Sequence, residues 1–255
     1  MSLAFRQLLP AIALILSLHS CGAHYSLVRI DGTSVPVDSV FDPLISGRVT
    51  EIIGDYQSDL TEEMSPVLGT SAAVMLSAAP RDYNVLANTV ADILRDAASG
   101  IDEDVAFAVI NVGGLRCDLP AGQISVGTAF ELLPFTNTMC IVTLHGDAVL
   151  ELFGQIALMG GEGVSEDVNL TVTADGRLLD ARIDGLPVDG DADYRVATID
   201  FVAEGNDGMT AFKKASGQFY PDDCLFRDIF IRHVRRLASH GQALQPKTDR
   251  RIFVK

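Results

Sequence analysis

The chain of 255 residues has no tryptophan, and aromatics make up only 7% of it, so any aromatic side chain in a loop asks for a reason. Basic residues are also scarce, 19 against 34 acidic, for a net charge of −15. That balance excludes non-specific binding to nucleic acid, which needs Lys and Arg to neutralise phosphates. It also means that any phosphate contact must be local. The five histidines (His19, His24, His145, His233 and His240) are scattered. The four cysteines show no CxxC pair and no Cys/His spacing that would hold zinc. No internal repeat and no low-complexity linker interrupts the chain. The N-terminal apolar run from Leu8 to Leu18 is too short to cross a bilayer.

What is present begins with that run. Arg6 precedes it and Leu18-His19-Ser20-Cys21-Gly22 closes it, the layout of a signal peptide over residues 1–20. Leu three positions before a Cys, with a small residue just before it, resembles a bacterial lipobox. The expectation is cleavage before Cys21, lipid attachment to its thiol, and an exported protein anchored to a membrane on the periplasmic side or cell surface. An ordinary signal peptide with an incidental cysteine is the alternative. Cys117, Cys140 and Cys224 allow at most one disulfide, and read most simply as small buried hydrophobes.

Hydrophobic residues make up 48%, enough for a real core, and residues 21–255 read as one α+β domain, a mixed β-sheet with packed helices. Tyr25 to Val37 alternates around Asp31-Gly32, a hairpin pattern. Helical spacing marks Pro43 to Met64, Asn84 to Ala98 and Phe226 to Leu237. A further helix follows His145-Gly146-Asp147, and a short one over Gly127 to Leu133 is capped by Ser125. Strands are expected over Val67 to Met75, Val105 to Ile110, Thr138 to Leu144, Tyr194 to Ile199 and Ile252 to Val254. Others lie between the Asp-Gly turns at 175–176, 184–185 and 189–190. His233, on an apolar helix face, reads as a packed boundary residue.

Three short segments carry chemistry, and each reads as a strand-to-loop exit, at 111, 135 and 201, where sites are commonly built. They are Asn111-Val-Gly-Gly-Leu-Arg116, Pro134-Phe-Thr-Asn137 and Asp200-Phe-Val-Ala-Glu-Gly-Asn-Asp-Gly208. Phe135 and Phe201 offer flat apolar faces, Asn137 and Asp207 offer hydrogen bonds to a base or ribose, and Arg116 offers a planar cation. Locally, each has a plainer reading: Phe135 beside Leu132 and Leu133 could be core, and Asp207 before Gly208 could be a turn residue.

Taken in order, these segments resemble the C-terminal domain of the 5′-nucleotidase family, which includes UDP-sugar hydrolases, ecto-5′-nucleotidases and 2′,3′-cyclic nucleotide phosphodiesterases. The family string Asn-Gly-Gly-Gly-Ile-Arg is matched by Asn111 to Arg116, and Pro-Phe-Gly-Asn by Pro134 to Asn137. A turn opening a helix is matched at Leu144-His145-Gly146-Asp147, and a Tyr-Arg-Val-Ala-Thr strand by Tyr194 to Thr198. The loop Phe-x-x-x-Gly-x-Asp-Gly is matched by Phe201, Gly205, Asp207 and Gly208, and an upstream helix start by Leu86, Asn88 and Asp92. The resemblance covers roughly residues 65–215.

The resemblance implies that Phe135 and Phe201 sandwich a nucleobase, that Asn137 contacts the base and Asp207 the ribose, and that Asn111 and Arg116 face ribose and phosphate. Gly113 and Gly114 would let the backbone approach the ligand. It implies no catalytic residue in this chain. In the family, catalysis belongs to a metallophosphoesterase domain with two divalent metals, held by Asp-x-His, Gly-Asn-His-Asp/Glu and Gly-His-x-His strings that do not occur here. The expectation is therefore a nucleoside- or nucleotide-binding domain acting in nucleotide catabolism, with a separate metallophosphoesterase chain as partner and no cofactor of its own. Val112 and Asn206 replace family glycines, and Arg81 stands near the place of a further family arginine. These departures leave room for an alternative: a lipoprotein interaction module that kept the fold and lost nucleotide binding.

Overall fold

The computed structural model describes residues 32–35 and 47–255. The expected signal peptide, Cys21 and most of the expected hairpin lie outside the described residues. Gly32 to Val35 form no regular element. The chain divides into two compact units, Met1–Glu51 and Ile52–Lys255. Helix α1 (Gly47–Met64) begins just before that division, and none of its residues is buried.

Within the second unit, the central sheet has five strands in the order β10-β4-β9-β2-β5: Gly217–Phe219, Met139–His145, Asp193–Ile199, Val105–Ile110 and Gly163–Val164. Strands β2 and β9 run parallel, and the other pairings are antiparallel. This mixed arrangement explains the sequence pattern. The apolar run of β2 and the apolar half of β9 are buried because both strands sit inside the sheet with helices against it. Helix α2 (Val85–Ser99) packs on β2, and α4 (Gly146–Leu158) packs on β4 and β9. Phe107 of β2 meets Phe153 of α4 with ring centroids 5.2 Å apart.

A second sheet has the order β11-β6-β7-β8: Ile252–Val254, Val168–Val172, Leu178–Ile183 and Leu186–Pro187. A third pairs β1 (Val67–Ser71) with β3 (Gly122–Ser125). The expected strand from Val67 thus stops at Ser71, and Met75 makes only an isolated bridge to Leu119.

Local signals account for the helix starts. The Asn84 side chain accepts the Ala87 N–H at the head of α2. Ser125 and Thr128 form a reciprocal capping box at the head of α3 (Val126–Leu132). Gly146 opens α4 against a neighbouring turn, where an added Cβ would lie 1.9 Å from the Asp189 carbonyl oxygen. Helix α6 (Phe226–Ser239) buries Phe226, Ile229, Phe230 and Val234 against α2, α3 and β1. Cys140 and Cys224 are buried free thiols and Cys117 is half-buried, as small hydrophobes would be.

Arg251 is 1% exposed. It forms a bidentate pair with Asp92 (2.7 and 2.8 Å), bonds Asp249 at 2.7 Å and donates to the Val164 carbonyl at 2.6 Å. It thereby ties α2 to the chain end. Among the described residues, no helix is long and apolar enough to cross a membrane.

Candidate functional site

The candidate site is built where β2, β4 and β9 meet their turns. Strand β2 ends at Ile110, and Asn111 starts a 3₁₀ turn over Val112–Gly114. The Gly114 N–H returns to the Asn111 carbonyl at 3.1 Å. A Cβ at Gly114 would stand 3.0 Å from Asn111 Oδ1, so glycine keeps that amide in place. Asn111 is buried. Its Nδ2 donates to Asp207 Oδ2 at 2.7 Å, and its Oδ1 has no hydrogen-bond partner among the described residues. A buried acceptor without a donor costs about 1–3 kcal/mol, and such groups ask for an explanation.

Asp207 lies in the turn after β9 with a positive φ of 50°, between Gly205 and Gly208, which also have positive φ. The short aspartate side chain tolerates this conformation better than most residues do. Two of the expected strand-to-loop exits are corrected: Phe135 follows the end of helix α3, not of a strand, and at Phe201 the strand gives way to a helical turn. Residues Asp200–Ala203 form a helical turn, α5, because the Asp200 and Val202 carbonyls find donors at Glu204 and Gly205. Phe201 is 37% exposed on that turn, and Phe135 is 50% exposed after Pro134. Neither is the core residue that its apolar neighbours alone would allow.

Asn137 joins the two aromatic segments. Its Nδ2 donates to Asp200 Oδ1 at 2.7 Å, and the Phe201 backbone N–H donates to the same oxygen at 2.7 Å. Arg116 is exposed. Its Nη1 donates to the Gly113 carbonyl at 3.2 Å, and its guanidinium lies 6.0 Å from the Phe135 ring centroid, the outer limit of a cation–π contact. One small cavity is lined by Asn111, Gly114, Phe135 and Asn137, with Leu115, Leu133, Ile199 and Phe226 as its apolar wall. Asp207 joins through Asn111, Arg116 through Phe135, and Phe201 through Asp200.

Sequence reading missed Glu162. It is 2% exposed. One carboxylate oxygen accepts the Val112 N–H and the other the Arg81 guanidinium, both at 2.5 Å. Burial pushes its pKa up; the Val112 N–H and Arg81 oppose that, and the nearby Asp207 adds to it. A lone Glu between Gly161 and Gly163 carries no signal of this role. The contact exists only because the turn before β5 passes beside the turn after β2. Arg81 is thereby engaged by Glu162.

A wider cleft between α2 and α6 is lined by Asp92, Asp96, Glu166, His233 and Lys247, but its charges largely answer one another. Lys247 pairs with Glu166 at 2.8 Å and with Asp92 at 3.5 Å. Among the described residues, no group of three His, Cys, Asp or Glu side chains is arranged to hold a metal ion.

The domain is α+β, and the turns beside its mixed sheet carry two exposed phenylalanines and two Asn–Asp pairs. The family model described as 5′-nucleotidase, C-terminal domain, matches residues 67–214, and the chain belongs to that family. It is 30% identical over 162 residues to the trifunctional nucleotide phosphoesterase protein YfkN of Bacillus subtilis, covering 57% of this chain and 11% of that protein. It is 29% identical over 186 residues to the cell wall protein Lmo0130 of Listeria monocytogenes, covering 66% of this chain and 23% of that one. Among solved structures, a 5′-nucleotidase precursor from Thermus thermophilus shares the fold with a TM-score of 0.71 at 23% identity, over 80% of this chain and 42% of that chain. The chain thus spans less than half the length of these relatives.

Proposed function

We propose that this domain holds the nucleoside part of a nucleotide and presents its phosphate to a metallophosphoesterase supplied by another chain, in nucleotide catabolism. The observation that carries the reading is Asn111: a buried amide, oriented by Asp207, whose oxygen lacks a partner among the described residues and which lines one small cavity with the exposed Phe135. A nucleoside suits such a place. Its base stacks on aromatic faces regardless of sequence, and its hydroxyls supply the missing donor. Phe135 and Phe201 hold the base, Asn137 its edge, Asp207 and Asn111 the ribose, and exposed Arg116 a phosphate, through a planar cation suited to bidentate contact. Gly113 and Gly114 admit the ligand to the backbone.

This chain's contribution is binding and orientation, which convert an encounter into a held geometry. In the partner, two divalent metals would activate a water and neutralise charge on the phosphoryl oxygens. Export with lipid attachment at Cys21 completes the proposal, supported by the N-terminal sequence pattern and by a relative named as a cell wall protein.

The test is calorimetric titration of the fragment that starts after Cys21 with adenosine and AMP in metal-free buffer. Saturable binding supports the reading, and its absence for these and other nucleosides overturns it. A second reading, an interaction module that lost nucleotides, draws on the Glu162 contacts, which occupy both the Val112 N–H and Arg81.

A further inference from the structure

Helix α1 leaves the domain body at Met64, where Gly127 of α3 stands so close that an added Cβ would lie 3.3 Å from the Met64 carbonyl oxygen. No residue of α1 is buried, yet Ile53, Tyr56 and Leu60 fall on one side at helical spacing, and each is more than half exposed. Met64 continues that stripe. Leu60, Met64 and the exposed Phe130 of α3 line an open groove of about 650 Å³ beside it. Gly54 and the β-branched Ile52, Ile53 and Thr61 are weak helix formers, so a helix of this composition depends on packing of its apolar side.

The charges at the border of the stripe select what can cover it. Asp59 and Glu63 stand three residues after Tyr56 and Leu60, and so run along one side of the stripe. Glu131 lines the groove on the α3 side. No Lys or Arg occurs between Val49 and Pro80. None of these three carboxylates forms an ion pair among the described residues. Arg227 is engaged with the Phe130 ring, 3.8 Å from its centroid, and with the Leu133 carbonyl. A second copy of this chain would bring the same acids against these, and an anionic membrane surface would be repelled in the same way. We propose that the stripe and groove receive an amphipathic helix of another protein. Its apolar side chains enter beside Leu60 and Phe130, and its flanking Lys or Arg meet Asp59, Glu63 and Glu131. The groove shares no residue with the Asn111–Phe135 cavity, so docking does not depend on the nucleoside reading.

The probe is a stapled helical peptide as long as α1, with a leucine stripe flanked by Lys, compared with the same peptide flanked by Glu. Fluorescence anisotropy reads its binding to the wild-type chain. The Lys-flanked peptide should bind saturably, about tenfold more tightly than the Glu-flanked one, and should weaken as salt rises. Leu60→Ser should weaken it about tenfold, the contribution of burying one leucine. Asp59→Lys with Glu63→Lys should erase the preference for Lys. These positions are exposed, so both variants should melt near the wild type. No saturable binding, or equal binding of the two peptides, overturns the proposal. So does a Lys preference that survives both variants, which is the diffuse attraction of a chain with a net charge of −15. A dimer in light scattering that Leu60→Ser dissociates overturns it in favour of a second copy. Binding to phosphatidylcholine–phosphatidylglycerol vesicles that Leu60→Ser abolishes overturns it in favour of lipid. Should either variant fail to fold, the other still separates docking from diffuse attraction.

Discussion

One oxygen of Glu162 holds the Val112 backbone N–H and the other holds the Arg81 guanidinium, each at 2.5 Å. The carboxylate therefore braces the turn that carries Asn111 from behind. Glu162→Ala leaves the Val112 N–H without its acceptor and should cost about 1–3 kcal/mol of stability. It should also weaken adenosine binding, by loosening Asn111. Glu162→Gln keeps an acceptor and should recover most of the binding. Urea denaturation and titration with adenosine check this; an Ala variant that binds like wild type shows that the brace does not matter to the site.

Phe135 and Phe201 are exposed, so truncating either removes little core packing. Phe201→Ala and Phe135→Ala should each weaken adenosine binding by about 1–3 kcal/mol, the worth of stacking one base on an aromatic ring. Their melting temperatures should stay close to wild type. Unchanged affinity in a folded variant removes that ring from the base sandwich.

His233 is partly buried on α6, and burial lowers its pKa from 6.5 to about 4, with Arg236 and Lys247 adding to the effect. The folded state therefore prefers neutral imidazole. Its contribution is complete above about pH 6.5, declines as pH falls from there, and is lost by about pH 4. His233→Gln should flatten the pH dependence of unfolding over that window. Parallel profiles for wild type and variant would show that His233 titrates normally.

Asp92 and Arg251 form a buried bidentate pair. Arg251→Met removes one partner and strands the other, which should destabilise the fold by about 3–5 kcal/mol. A loss below about 1 kcal/mol in urea denaturation would mean that Lys247, already 3.5 Å from Asp92, takes over.

The elements and the family are legible in the sequence alone. The apolar run Val105 to Ile110, the Ser125 cap, the helical stripes and the Asn111, Phe135 and Phe201 segments are local patterns, and each element they mark occurs with ends shifted by a few residues. Periodicity and capping depend on neighbours in the chain, so they are legible there. The helical turn at Phe201 was not legible, because it depends on carbonyl partners in the following turn. That Asn111 meets Asp207, that Asn137 meets Asp200 and that Glu162 stands behind Val112 are outcomes of tertiary packing. Those pairs are separated by 96, 63 and 50 residues. They arise because β2 and β9 lie side by side, with β4 on the far side of β9 and β5 on the far side of β2. Sheet order brings distant turns to one edge, and hydrogen bonds between them then set which atoms of each side chain remain for a ligand.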